Sequence, residues 1–427
     1  MTDPLTTGLG GLDDSVKIVV NETTISKAIS WNIHEGVLAQ PATWSITFGS
    51  GDVAAPLLKQ LPPGPTSLVR VYVGNVLQQS GYIDAVEASQ PAGGATTITI
   101  RGRDAMAPLQ DTYVSSSIAA NVTTYAQLVW FALQQCGLVH GSTIDPDYLA
   151  TDNSANRNLK AGVPIQAILP HRTVQQILDN EGAGLNAGVF TATVQAKLHE
   201  TWHHFIRRHI DRAGLMFWAA GDGSFVLAAP NGNQSPTYLL RRKTGQPTDR
   251  TRANVIAMRF MDDRTHRHSE AIVYARGGGK ALGRVKSKGG FPDDEMVASG
   301  YAHQPIVYRD ANCKSGAEAE FFARRKIAEE RRSGWHLEYT VSGSTLPFAG
   351  TGGVTRAVIV PDTIVAVDDD ELDLYALAAA SAANGGDPPS SQYYIEAVDR
   401  QRGPSGTTTT MRLMRVADLV FGADEDT

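Results

Sequence analysis

Short runs of apolar–polar alternation, each closed by turn residues, set the strongest limit on what this chain can become. Val16-Lys17-Ile18-Val19-Val20 stops at Asn21-Glu22, Trp44-Ser45-Ile46-Thr47-Phe48 at Gly49-Ser50-Gly51, and Val69-Arg70-Val71-Tyr72-Val73 at Gly74-Asn75. Two more runs, 81–88 and 96–101, flank Gln90-Pro91-Ala92-Gly93-Gly94. A side-chain period of two buries one face of each run and wets the other. Repeated at this spacing, it predicts an antiparallel sandwich or barrel.

The period changes after Asp104. Tyr125, Leu128, Val129, Ala132 and Cys136 fall at helical spacing within 123–136, with Gly137 as the stop. A shorter helix is expected at 173–181. A third, 198–213, carries Leu198, Trp202, Phe205, Ile206 and Ile210 on one stripe and ends at Gly214. Leu215-Met216-Phe217-Trp218 then faces Phe225-Val226-Leu227 across Gly221-Asp222-Gly223, a hairpin signal. Strands resume at 252–260 and 269–274, and a Gly- and Lys-rich stretch, 277–290, reads as a loop. In the helix expected at 316–332, Ala319, Phe322, Ala323 and Ile327 point inward and the basic residues outward. Strands follow at 336–341, 357–360, 363–367, 393–397 and 408–414, interrupted by an Ala-rich excursion at 374–389. No fixed-period repeat stands out. The β, then α/β, then β layout suggests two similar β units flanking an inserted region.

Composition narrows the class. A chain of 427 residues has room for about three domains. With 42% hydrophobic and 19% charged residues it can fill a core, which excludes wholesale disorder. A formal charge of -6 leaves no global footprint for nucleic acid or an anionic membrane. Cys136 and Cys313 alone make neither a disulfide framework nor a thiolate zinc site, so a reducing compartment is expected. Residues 1–14 lack the basic and apolar regions of a secretory signal, and the longest apolar stretch, 374–383, is half of what a bilayer requires.

One segment argues for an enzyme. His199-Glu200-Thr201-Trp202-His203 is an H-E-x-x-H sequence within the third expected helix. Two histidines four apart on a helix share a face, so His199 and His203 could hold zinc with Glu200 as general base. His209 stands where the extended pattern puts a third ligand, but Ile206 occupies the position of the glycine that lets the chain turn. The competing reading is a His-rich solvated face beside the stripe of Trp202, Phe205, Ile206 and Ile210, and it carries more weight. Gly277-Gly278-Gly279-Lys280-Ala281 lacks the first Gly and the Ser/Thr of a phosphate loop. Asp368-Asp369-Asp370-Glu371 lacks the alternation of a calcium loop and reads as a solvated charge run. The eight basic and three acidic residues of 241–267, and Arg324-Arg325-Lys326 with Arg331-Arg332, come without the interleaved aromatics that grip single strands. Specific nucleic-acid binding is not expected.

The ordered elements resemble the baseplate hub proteins of contractile phage tails, the family of the Mu-type tail protein P, and are similar to the central trimeric hub of myophage baseplates. The residues that carry the resemblance run along the chain. An opening hairpin at 31–48 is followed by Leu68-Val69-Arg70-Val71-Tyr72-Val73-Gly74, Gly81-Tyr82-Ile83-Asp84 and Ile98-Thr99-Ile100-Arg101-Gly102-Arg103-Asp104. The middle block is Glu200-Thr201-Trp202-His203-His204-Phe205-Ile206, Ala213-Gly214-Leu215-Met216-Phe217-Trp218 and Gly221-Asp222-Gly223-Ser224-Phe225-Val226-Leu227. The end matches at 318–332, 339–341, 361–368 and 407–413. Two segments, 139–198 and 374–389, depart from the family pattern.

The resemblance implies a β-rich α+β chain with two antiparallel, tail-tube-like β-barrels and an inserted α/β region. The first barrel would span 12–104, the α/β region 105–251, and the second barrel 252–276 plus 335–422, with 277–334 as an inserted loop and helix. It implies a structural role without catalysis, cofactor or metal. Three copies would form a ring that adapts a hexameric tail tube to a trimeric spike. The implied partners are the tail tube protein, the central spike protein, the baseplate wedge proteins and the tape measure protein. No membrane insertion is implied. The location would be the virion, in the tail baseplate, after assembly in the host cytoplasm. The alternative is a zinc metallopeptidase centred on His199, Glu200 and His203.

Overall fold

The computed structural model describes residues 14–20, 23–38, 41–49, 64–74, 76–90, 92, 94–114, 125–140, 149–150, 196–197, 199–210, 215–228, 232, 234–242, 255–275, 283–286, 293, 296, 300, 304–310, 316–349, 356–369 and 392–419. The expected helix at 173–181, the excursion at 374–389, Gly214, the Gly277–Lys280 run and most of 139–198 lie outside these residues.

The alternating runs form β1 (Val16–Val20), β2 (Thr23–Ile25), β3 (Ala28–Gly36), β4 (Thr43–Gly49), β5 (Gly64–Val73), β6 (Val76–Ser89) and β7 (Thr97–Asp104). Next come α1 (Ala107–Asp111), α2 (Tyr125–Gln135), β8 (Leu149–Ala150), α3 (Trp202–Ile210), β9 (Met216–Ala219) and β10 (Phe225–Ala228). The remainder is β11 (Tyr238–Arg242), β12 (Val255–Asp262), β13 (Glu270–Ala275), β14 (Gly283–Lys286), β15 (Pro305–Asp310), α4 (Gly316–Gly334) and β16 (Trp335–Ser342). It closes with β17 (Thr345–Pro347), β18 (Arg356–Val358), β19 (Ile364–Asp369), β20 (Gln392–Gly403) and β21 (Gly406–Arg415). The fold is β-rich α+β.

A single hydrogen-bonded sheet runs β12-β16-β21-β20-β3-β4-β7-β6-β5-β1-β2, with β19 also on β20 and β11 on β19. Two apolar clusters lie along it. The first holds Ile18, Trp31, Ile33, Trp44, Ile46, Val71, Ile83 and Ile100, drawn from β1 through β7. The second holds Tyr238, Leu240, Leu337, Tyr339, Val365, Ile395, Met411 and Leu413, from β11 through β21. A flat sheet could not bring one face of six successive strands into one cluster, so each half is curled about its own core. In the first half β1 approaches β3, although among the described residues no ladder joins them.

The halves repeat each other. Read across the sheet, β3-β4-β7-β6-β5-β1 corresponds strand for strand to β12-β16-β21-β20-β19-β11. The irregularities coincide too. β3 bulges at Ile29 against β4, and β12 at Ile256 against β16. β6 bulges at Asp84 against β7, and β20 at Glu396 against β21. Bulges are position-specific features of a ladder, so two matched pairs fix the alignment between halves. On that alignment Tyr82-Ile83-Asp84-Ala85-Val86-Glu87 overlies Tyr394-Ile395-Glu396-Ala397-Val398-Asp399, and Thr96-Thr97-Ile98-Thr99-Ile100-Arg101 overlies Thr407-Thr408-Thr409-Thr410-Met411-Arg412. The repeat is present in the sequence, as two pairs of matching segments rather than a period. The hydroxyl pair Thr47–Thr99 recurs as Thr340–Thr410, each 3.0 Å apart. Both bulge carboxylates are held by arginines of the neighbouring strand, Asp84 by Arg103 at 2.8 Å and Glu396 by Arg412 at 3.2 Å. The halves differ in that β1 runs antiparallel to β5 whereas β11 runs parallel to β19.

Two placements differ from the expected division. β11, within the expected 105–251 region, belongs to the second half through its pairing with β19. β13, expected in the second barrel, instead pairs with β14 and β15 in a separate sheet, where Ala271 and Val273 pack on Ala319, Ala323 and Ile327 of α4. The stretch 277–334 therefore carries strands as well as a helix. A fourth core joins the helices to the β9–β10 hairpin around Leu128, Trp130, Phe205, Ile206, Phe217 and Leu227.

Candidate functional site

The H-E-x-x-H segment is not on one helix. Val114 N–H donates to the Glu200 carbonyl at 2.9 Å and Trp202 N–H to the Thr112 carbonyl at 3.0 Å, which ties 200–202 to the chain after α1. Thr201 Oγ1 then accepts the His204 N–H at 3.4 Å, the bond of an N-cap, and α3 starts at Trp202. His199 sits before that start with φ 57°, exposed, its ring edge-on to Tyr113. The shared helical face expected for His199 and His203 therefore does not form. His203 is buried at 2% exposure inside the stripe of Trp202, Phe205 and Ile206. Desolvation, reinforced by the charges of Arg207 and His204, lowers its imidazole to about 4.

Glu200 is engaged elsewhere. Arg208 donates from Nε and Nη2 to its two oxygens at 2.8 Å each, and Lys197 N–H adds a bond at 2.7 Å. Burial pushes the Glu200 carboxyl up, but Arg208 and the Lys197 N–H outweigh it and hold the group below the usual carboxylate range. A carboxylate clamped bidentately on a guanidinium is poorly suited to take a proton from water. Among the described residues no three His, Cys, Asp or Glu side chains converge as a metal site.

The other charged candidates are also structural. Asp369 is not solvated as the charge-run reading expects. Arg242 Nε donates to it at 2.9 Å and Tyr339 OH at 2.6 Å, inside the second core, while Asp368 meets Arg241 at 3.2 Å. On α4, Arg325 is buried rather than outward, paired with Glu329 at 3.0 Å. Arg331 reaches Asp293, which also binds the buried Arg267 at 2.6 Å.

Where β3 meets β20, a shallow groove of about 330 Å³ is lined by Asn32, Ser45, Thr47, Gln401, Arg402 and Thr408. Its side chains hydrogen-bond but include no histidine, cysteine or carboxylate. Beneath it, Arg400 is fully buried. Its Nη1 donates to Glu35 Oε2 at 2.8 Å, and its Nη2 to the Ile359 carbonyl. At the rim His34 meets Asp399 at 2.5 Å, and that bond raises the imidazole pKa. The junction is built to hold two halves in one register. Sequence reading missed it, because neither Glu35 nor Arg400 shows its partner along the chain.

Solved structures share this architecture. The 43 kDa tail protein of prophage MuSo2 from Shewanella oneidensis aligns with 95% of this chain and 98% of its own, at 16% identity and TM-score 0.61. The tail protein from Neisseria meningitidis MC58 aligns with the same shares, 95% and 98%, at 17% identity and TM-score 0.62. The E. coli c3393 protein, a type VI secretion component with structural similarity to the T4 bacteriophage tail proteins gp27 and gp5, aligns with 93% of this chain and 76% of its own. Its identity is 11% and its TM-score 0.50. No family model matches the chain, and no curated protein matches it. At these identities what is shared is the fold.

Proposed function

We propose that the chain is a structural hub of a contractile phage tail baseplate. Three copies form a ring that adapts a hexameric tail tube on one face to a trimeric spike on the other, in the virion and without catalysis. The observation that carries this reading is the internal repeat. Two equivalent strand units per chain turn three copies into six units, which is the count needed to meet a six-fold partner. The whole-length likeness to two phage tail proteins supports the same reading, as does the engagement of Glu200 by Arg208 in place of a reactive site. Hydroxyl-rich sheet surface suits docking onto other β surfaces, and the tube protein, spike, wedges and tape measure protein are the proposed neighbours.

Antibody raised against the chain should label the tail end distal to the head in virions that carry it. Quantitative mass spectrometry of purified tails should count about three copies per tail, from the six-over-two symmetry. Labelling of the head, labelling along the whole tube, or absence of the chain from virions would overturn the proposal.

A further inference from the structure

Two strand edges whose counterparts meet in the β3–β20 joint have no partner of their own among the described residues. β12 pairs with β16 on one side only, whereas its counterpart β3 pairs with β4 and also with β20. The distal half of β6, Asp84 to Ser89, pairs with β7 alone, whereas the matching part of β20 pairs with β21 and with β3. Each half thus has a β3-type edge and a β6-type edge, and within the chain one of each is used, in the β3–β20 joint.

Burial follows the same division. On β3, Trp31 and Ile33 are 3% and 0% exposed. Their counterparts on β12, Met258 and Phe260, are only partly buried. On β20, Ala397, Val398 and Arg400 are buried, while on β6 the matching Ala85 and Ala88 are exposed and Val86 is half-buried. An unpaired edge that carries apolar residues is a template for another strand, and natural chains protect such edges when no partner exists.

We infer that β12 of one copy pairs antiparallel with the distal half of β6 of the next copy, in the register of the β3–β20 joint. Transferring that register sets Asp262 opposite Val86, Met261 opposite Glu87, Phe260 opposite Ala88 and Arg259 opposite Ser89 of the neighbouring copy. Arg259 then lies diagonal to Glu87 of the neighbour, an opposite-charge pair across the joint. The contact is heterologous, one edge type against the other, and three copies close into a ring when it turns each copy by a third of a revolution from the last. The inference names the contact behind the proposed ring and rests on that reading only for the number of copies.

The test uses disulfides in the full chain with Cys136→Ser and Cys313→Ser. Asn32 and Gln401 face each other across the internal joint, so Asn32→Cys with Gln401→Cys should close within one chain and report that the geometry permits a bond. Ser89→Cys with Arg259→Cys, the equivalent positions, should give bonds between chains and a ladder on non-reducing gels that stops at the closed ring. Glu87→Cys with Arg259→Cys is two residues out of register and should give at least about tenfold less, because diagonal Cβ atoms lie too far apart. An internal bond without the 89–259 product would overturn the inference, as would stronger cross-linking at 87–259. Neither result touches the labelling of tail ends, so the tail role and this contact fail separately.

Discussion

Glu35→Ala should destabilise the protein by about 3–5 kcal/mol, the cost of leaving one member of a buried ion pair alone. Arg400 is 0% exposed, and its Nη1 lies 2.8 Å from Glu35 Oε2. Truncation of Glu35 leaves a guanidinium with one carbonyl partner where water cannot solvate it. The loss should be read by denaturant unfolding followed by tryptophan emission, to which Trp31 on β3 in the same joint contributes. Replacing both partners, Glu35→Leu with Arg400→Met, should recover most of the loss, since an apolar pair of similar volume has no charge to desolvate. A loss below about 1 kcal/mol for Glu35→Ala would mean that solvent or another carboxylate reaches Arg400, since an ion pair of that small worth is one solvent already screens.

Gly102→Ala is the second large effect, about 3 kcal/mol or more, and it should fall on the first unit alone. A methyl at Gly102 would overlap the Tyr82 carbonyl oxygen on β6 and the indole of Trp44 on β4. The carbonyl is backbone and cannot rotate away. Trp44 lies directly opposite Gly102, whereas the corresponding pair in the second unit is Leu337 opposite Leu413. The first unit thus places a large side chain against none, and the second shares the volume between two leucines. Removing the indole with Trp44→Leu should relieve only the side-chain part of the clash. Full tolerance of Gly102→Ala, measured by thermal unfolding, would contradict the close approach of β6 and β7.

Much of this architecture is written locally. β1, β4 and β7 follow from alternation, α2 from the spacing of Tyr125, Leu128, Val129 and Ala132, and its end from Gly137 at φ 69°. β20 reads as five residues and runs for twelve. Its second half, Asp399-Arg400-Gln401-Arg402, has the composition of a loop, and it takes Glu35 across the sheet, with the Ile359 carbonyl, to make a buried Arg400 tolerable. The histidine segment misleads for a related reason. Spacing of four implies a shared face only where the backbone is helical, and the ties to Thr112 and Val114 keep His199 and Glu200 out of α3. β13 alternates like a barrel strand, and α4, distant in sequence, decides that it packs elsewhere. The repeat of Tyr82–Glu87 in Tyr394–Asp399 was legible in principle, but six residues acquire meaning only when the bulges and registers of both halves coincide.

The claim that joins these observations is a closed ring made by chains that each contribute two equivalent units. Native mass, by size exclusion with light scattering on the purified chain across a range of concentrations, tests it most directly. A species near 137 kDa is expected, about three times the 45.7 kDa of one chain. A species of one-chain mass at every concentration, or a dimer that grows no further, would contradict it.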